Sequence, residues 1–188
     1  FVAGGSFAVA ALTFIIFNTD YMASRIHIWQ DPWSDPLGKG FQTIQSLYAI
    51  GSGGLLGLGL GNSRQKFLYI PEPENDFIFS IACEELGFVG AVLILCLFAL
   101  LILRGYWLAI HARDRFGALL IVGITTQVAV QTFLNIGVVT NLFPVTGISM
   151  PFFSYGGTAL ILQLAEMGIV LNISRVRYRV GAKAPAAK

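Results

Sequence analysis

The stretch Leu86–Leu103, LGFVGAVLILCLFALLIL, runs eighteen residues without a charge. As a helix it is roughly 27 Å long, close to the hydrocarbon thickness of a bilayer. Arg104, Arg113 and Arg115 close it on one side. Beyond them Phe116–Ala165 carries no formal charge over fifty residues. At about twenty residues per span, that predicts two further helices and a connection. The break is expected at Thr140–Pro151, where Asn141, Pro144, Gly147 and Pro151 gather. The third helix is therefore placed at Ala118–Val139 and the fourth at Phe153–Ile173. On the other side, the stretch Tyr69–Gly87, YIPEPENDFIFSIACEELG, sets acids and prolines against the apolar run, so the second helix is expected to begin near Phe77. Phe1–Thr19 is uncharged and fits one more span, with Gly4, Gly5 and Ser6 as close-packing positions.

The composition agrees. Of 188 residues, 55% are hydrophobic and 12% charged, against about 25% charged in soluble domains. The expected fold is all-α: a polytopic membrane helix bundle with four transmembrane helices, forming one membrane domain over 1–188. A long extracytoplasmic loop spans 20–76 and a basic tail spans 174–188. The net charge of +2 is too small to point to nucleic acid. Phe1–Thr19 lacks the basic start and small-residue cleavage site of a signal peptide.

Orientation follows from Lys and Arg in short loops. Arg104, Arg113 and Arg115 join helices two and three, and Arg175, Arg177, Arg179, Lys183 and Lys188 follow helix four. Two spans separate these clusters, so both are expected on the cytoplasmic side of a bacterial plasma membrane, with 20–76 and 140–151 facing outward. In the long loop, Trp29 and Trp33 suit the interface belt, and Asp31-Pro32 and Asp35-Pro36 are turn formers. Phe41, Ile44, Leu47 and Tyr48 recur at helical spacing, which predicts a short helix lying on the membrane. The glycine run from Gly51 to Gly61 alternates with leucines. Irregular apolar backbone near a membrane must be buried in protein or line a cavity, so this segment is expected to tuck against the bundle.

Candidate chemistry concentrates at Asp76. Pro71 and Pro73 hold the chain extended before it. By spacing alone, Asn75 or Asp76 caps the second helix. The other reading is a general base at an outward cleft. Glu84 and Glu85 lie roughly 12–13 Å further along a helix, too far for the paired carboxylates of glycoside hydrolysis, so structural pairing is expected of them. The glycine run lacks the strand and lysine of a phosphate loop. Close backbone packing is its expected role, although Arg64 and Lys66 right after it keep an anion site open. Gln127, Gln131 and Asn135 recur every four residues, as a polar stripe that either bonds a neighbouring helix or lines a substrate groove. Glu166 lies inside the fourth helix with no partner legible. His27 and His111 fall on opposite sides, so no metal cluster is expected.

At these residues the chain resembles the SEDS family (shape, elongation, division and sporulation), which includes FtsW, RodA and SpoVE. Pro71-Glu72, Asn75-Asp76-Phe77-Ile78-Phe79 and Glu84-Glu85-Leu86-Gly87 are similar to its signature before the eighth helix. Ile50 to Gly54, Gly59 to Ser63 and Gln65-Lys66 match the preceding loop. Asn135 through Pro144, Gly147, Pro151 and Ser154-Tyr155-Gly156-Gly157-Thr158 match the C-terminal signature. Glu74, Asn75 and Thr146 depart from the residues common there. Members carry about ten membrane helices of bilayer-spanning length, and this chain resembles the last four.

The resemblance implies a peptidoglycan glycosyltransferase that polymerises lipid II at the outer face of the plasma membrane. The implied partners are a class B penicillin-binding protein and other divisome or elongasome membrane proteins. The family's essential aspartate falls on Asp76, the implied base. Arg25, Lys39, Arg64 and Lys66 are the cations available to a departing diphosphate, with Gln127, Gln131, Asn135 and Ser154 as further substrate contacts. A divalent cation, Mg or Mn, is the one cofactor implied as an assistant. The chain by itself is expected to be inactive. The competing functions are a lipid II flippase, using the polar stripe as a path, and a non-enzymatic scaffold.

Overall fold

In the computed structural model, residues 20–63, 76–154 and 156–181 are described, with side chains over 24–63, 76–154 and 156–175. The first expected span, the cations Arg64 and Lys66, the proline lead-in and Tyr155 lie outside the described residues. The described secondary structure is helical: α1 (Asp20–Gln30), a 3₁₀ turn (Pro32–Ser34), α2 (Phe41–Ser52), α3 (Ile78–Ile110), α4 (Arg115–Val139) and α5 (Gly157–Gly181). Among the described residues, three helices have the length and composition to cross a membrane, over Ile78–Ile110, Arg115–Val139 and Gly157–Arg175. This is the all-α membrane bundle expected from the charge-free runs.

The second helix differs from its simple reading. At 33 residues, α3 would be roughly 50 Å long, too long for one crossing. It is broken at Gly87, whose φ of 69° and ψ of −169° are non-helical. Phe88–Ile110 then spans about 35 Å, and Ile78–Leu86 forms a separate short helix. Arg104 does not end the span as expected. Its guanidinium lies 4.1 Å from the Trp107 ring centre, so the charge stacks on an interfacial aromatic while the helix continues.

The glycine loop completes the break. Leu58 and Gly59 N–H donate to the Glu84 and Glu85 carbonyls, both at 3.0 Å. Phe88 and Val89 N–H donate to Gly54 and Leu55 carbonyls at 2.8 and 3.2 Å. The donors and acceptors orphaned by the interrupted helix are thus taken up by the loop. Contact is backbone to backbone: a Cβ on Gly57 would stand 2.1 Å from the Glu85 carbonyl oxygen. Close packing is what these glycines do. Ser63, at the loop's end, donates to the carboxylate of Glu84, which is 1% exposed.

α3 and α4 run antiparallel and meet at Gly105, where a Cβ would stand 2.4 Å from Thr125 Oγ1. Asp114 caps α4 by accepting from Gly117 N at 2.7 Å, so the helix starts three residues before the expected Ala118. It ends at Val139 in a Schellman motif. Asn141 takes the left-handed position (φ 58°). Leu142 N donates to Gly137 O at 2.7 Å and Asn141 N to Val138 O at 3.0 Å. α5 starts at Gly157 rather than Phe153, because Pro151, left-handed Phe152 (φ 64°) and the Ser154 turn hold that stretch out of a helix. It returns antiparallel to α4: Gln163 meets Gln131, Val170 packs with Ile121 and Ile124, and Ile173 reaches Gly117. Arg104, Arg113, Arg115 and Arg175 therefore share one end of the bundle, opposite the connection 140–156.

Two features of the long loop depart from expectation. Asp20–Gln30 is helical, where a polar loop was expected; Asp31 ends it by capping the 3₁₀ turn through Trp33 N (3.1 Å). α2 forms as expected, but its buried residues are Thr43, Ile44, Ser46 and Ala49. The small face packs on the bundle, with Ser46 Oγ donating to Val139 O at 2.8 Å. Tyr48 points out against Trp33. Small side chains let two backbones approach, and that wins over the larger apolar stripe.

Candidate active site

Asp76 stands one residue ahead of Phe77, which occupies the N-cap position of α3 without a side-chain cap. The N-cap position expected at Asn75 or Asp76 falls on Phe77 among the described residues, which exclude Asn75; Ser80 N and the Ser80 hydroxyl both donate to Phe77 O, at 3.1 and 2.7 Å. Phe77 is 2% exposed and packs with Met150 in the main core. That anchor fixes the half-buried Asp76 beside it.

Asn135 supplies the second fixing point. Its side chain is 1% exposed. Its Nδ2 donates to the carbonyls of Asp76 and Ile148, both at 2.8 Å. One amide thus ties the start of α3 to the α4–α5 connection. Its Oδ1 is buried without a partner among the described residues. Next to Ile148, Gly147 has φ 73°, and a Cβ there would stand 3.5 Å from Asp76 Oδ2. The carboxylate therefore rests against the open face of a glycine. Replacing Asn135 with leucine leaves both carbonyls unpaired at about 1–3 kcal/mol each. The expected result is a lower melting temperature in detergent, together with loss of whatever activity Asp76 supports. An unchanged melting temperature would show that the clamp does not hold.

Of the four cations, Arg25 and Lys39 are described, and the fold brings them together. They line one cavity of about 200 Å³, with Trp29 and Gln42. Arg25 donates to the Val145 carbonyl. Val145 lies two residues before Gly147, at most about 7 Å of extended chain. The cationic cavity and Asp76 are therefore held by neighbouring residues of one loop. Trp29 and Asn141 lock the cavity in both directions: Trp29 Nε1 to Asn141 O (3.1 Å) and Asn141 Nδ2 to Trp29 O (3.3 Å).

The remaining residues divide. Gln131 accepts from Gln163 Nε2 at 3.3 Å, and Gln163 Oε1 accepts from Phe152 N at 2.9 Å, so this pair braces the connection. Gln127 is exposed. Ser154 Oγ accepts from Met150 N at 2.8 Å, which shapes the turn before α5. Glu166 Oε2 is buried without a partner among the described residues. Sequence reasoning missed Gly147 as the neighbour of Asp76, Asn141 as a helix cap and latch, and Gln163. No group of three His, Cys, Asp or Glu able to hold a metal occurs among the described residues.

Comparison with known proteins places this architecture. The family model described as "Cell cycle protein" (FtsW, RodA, SpoVE) matches residues 1–179. "Stage V sporulation protein E" of Bacillus subtilis is 53% identical over 175 residues, 93% of this chain and 48% of the relative. "Probable peptidoglycan glycosyltransferase FtsW" of Geobacter sulfurreducens is 47% identical, over 92% of this chain and 46% of the relative. A chain of a solved peptidoglycan synthase complex, described as coordinating polymerization and crosslinking, superposes with a TM-score of 0.68 at 38% identity, over 94% of this chain and 49% of that one. The chain thus spans about half the length of the relatives it matches. It belongs to the FtsW/RodA/SpoVE family of cell-cycle membrane proteins.

Proposed function

We propose that this chain forms part of a peptidoglycan glycosyltransferase that polymerises lipid II at the outer face of the bacterial plasma membrane. The observation that carries this reading is Asp76, pinned through Asn135 against Gly147, next to a cavity lined by Arg25 and Lys39. Relatives named for this activity support it. Asp76 removes the proton from the acceptor sugar 4-hydroxyl. The acceptor oxygen forms a bond to the donor's anomeric carbon. The bond from that carbon to the lipid diphosphate breaks, and the electron pair leaves with the diphosphate. One carboxylate suffices for this single inverting displacement, because a diphosphate departs without a strong acid when its charge is stabilised.

The bundle end bearing Arg104, Arg113, Arg115 and Arg175 is assigned to the cytoplasm, which puts Asp76 outside. A divalent cation, if bound, would be held by the Asp76 carboxylate and would supply charge neutralisation for the departing diphosphate. The proposed partner is a class B penicillin-binding protein, in keeping with the matched chain's place in a synthase complex. Activity is expected of the whole protein and not of residues 1–188 alone.

The test is the whole protein in liposomes with lipid II, with and without the partner, reading glycan length and lipid II movement in parallel. Glycan strands are expected. Movement across the bilayer without glycan would replace this reading with a flippase, and neither event would leave a scaffold.

A further inference from the structure

A second cavity, of about 110 Å³, opens between α3, α4 and α5 at the end of the bundle away from Asp76. Thr125, in its lining, lies ten residues, roughly 15 Å, from the Asn135 that holds Asp76. The cavity falls where one packed core gives way to another. Val128 belongs to the first core, and Leu108 and Val170 to the second, and all three line the gap. Its wall is therefore fixed by packing on the far side. Thr125 and Arg104 are the polar side chains in the lining, and no carboxylate joins them. An apolar cavity of this kind excludes water. In a bilayer, the material at hand to fill it is an acyl chain.

Arg104 stands where the head of such a lipid would be. It lies sixteen residues beyond Phe88, roughly 24 Å along the straight part of α3, and the helix runs on to Ile110. That depth is near the edge of a hydrocarbon layer about 30 Å thick. Side chains of a helix lean towards its N-terminus, which here is towards the membrane interior. Arg104 instead turns the other way, onto the ring of Trp107 one turn nearer the helix end, at 4.1 Å. The stack engages the face of the guanidinium, while its N–H donors lie around the edge, in the fork that grips phosphate. Arg113 and Arg115 follow at the same end, with Asp114 between them occupied as the cap of α4. Basic pockets between membrane helices suit anionic lipid head groups.

We propose that this cavity seats a segment of one acyl chain of an anionic phospholipid, against Leu108, Val128 and Val170, with the lipid phosphate on the Arg104 guanidinium. The lipid then bridges α3 to α5, the least buried of the three spans. This site is independent of the chemistry at Asp76.

The test uses the whole protein, stripped of lipid in a neutral detergent. Phosphatidylglycerol or phosphatidylcholine with the same chains is added back. Bound lipid is counted by native mass spectrometry, and melting is followed in parallel. One retained phosphatidylglycerol and a higher melting temperature are expected, with neither effect from phosphatidylcholine. Arg104→Gln should weaken retention roughly tenfold or more, the loss expected for charged hydrogen bonds. Leu171→Trp, at an exposed position in the cavity lining, fills the gap and leaves Arg104 in place. It should weaken retention likewise, and it decides the matter if Arg104→Gln fails to fold. Arg113→Gln removes a charge of the same end from outside the cavity and should retain the lipid like wild type. Equal retention of the two lipids, or wild-type retention by either cavity variant, would overturn the site. A loss in Arg113→Gln as large as in Arg104→Gln would also overturn it, in favour of diffuse attraction to the basic end.

Discussion

Asp76→Ala in the whole protein is expected to abolish lipid II polymerisation. Loss of a general base costs 10² to 10⁴ in rate, as an order of magnitude. Asp76→Asn is the sharper variant, because it keeps the shape against Gly147 and removes only the basic oxygen. Both variants should still fold and retain partner binding. The backbone carbonyl of Asp76 that Asn135 holds is untouched by either change, and the core anchor is Phe77, not Asp76. Rate is measured as glycan formed from lipid II under single-turnover conditions. Polymerisation at the wild-type rate by Asp76→Asn would remove this carboxylate from the chemistry.

The second large effect concerns folding. Gly87→Val should prevent recovery of folded protein. The backbone there has φ 69° and ψ −169°, a region open essentially to glycine, at a cost of about 1–3 kcal/mol. A Cβ would also stand 2.3 Å from Gly57 N and 2.7 Å from the Leu55 carbonyl. Driving the loop away breaks four backbone hydrogen bonds whose partners are then unpaired in an apolar setting, at about 1–3 kcal/mol each. The sum approaches the whole stability of a typical domain, about 5–15 kcal/mol. Gly123→Ala is the control, because nothing lies within 4 Å of its Cβ, and it should fold like wild type. Yield in membranes and melting in detergent distinguish the two. Normal yield and melting of Gly87→Val would mean that α3 runs unbroken through this position.

The contrast between these sites shows what could be read from residues alone. α4 was legible nearly to its ends because a charge-free run has one stable form in a bilayer. The first error was three residues at its start, where Asp114 acts as a cap ahead of the apolar run. The break at Gly87 was not legible, because a glycine in an apolar helix looks the same whether the helix continues or not. Only the glycine loop's need for partners reveals it. Asp76 stood out as a carboxylate at a helix mouth, yet its neighbour Gly147 lies 71 positions away, and no local pattern joins them. Arg25 was read as a loop cation within the polar stretch 20–76, whereas Asp20–Gln30 is helical. Gln131 and Asn135 were legible as a shared face, but which carbonyls and amides they meet depends on tertiary structure.

The borrowed hydrogen bonds at the α3 break give this protein an internal clock. Phe88 and Val89 are the first residues after the break at Gly87 and head a long apolar span, whose inner amide protons should exchange with solvent only on global unfolding. The acceptors of Phe88 and Val89, however, are Gly54 and Leu55, in a loop some thirty positions away. Each time that loop lifts, these two protons become exchangeable while those from Ile94 to Leu103 stay protected. Deuterium uptake at Phe88 and Val89 therefore reports how often the segment leading to Asp76 comes undocked, separately from the lifetime of the bundle.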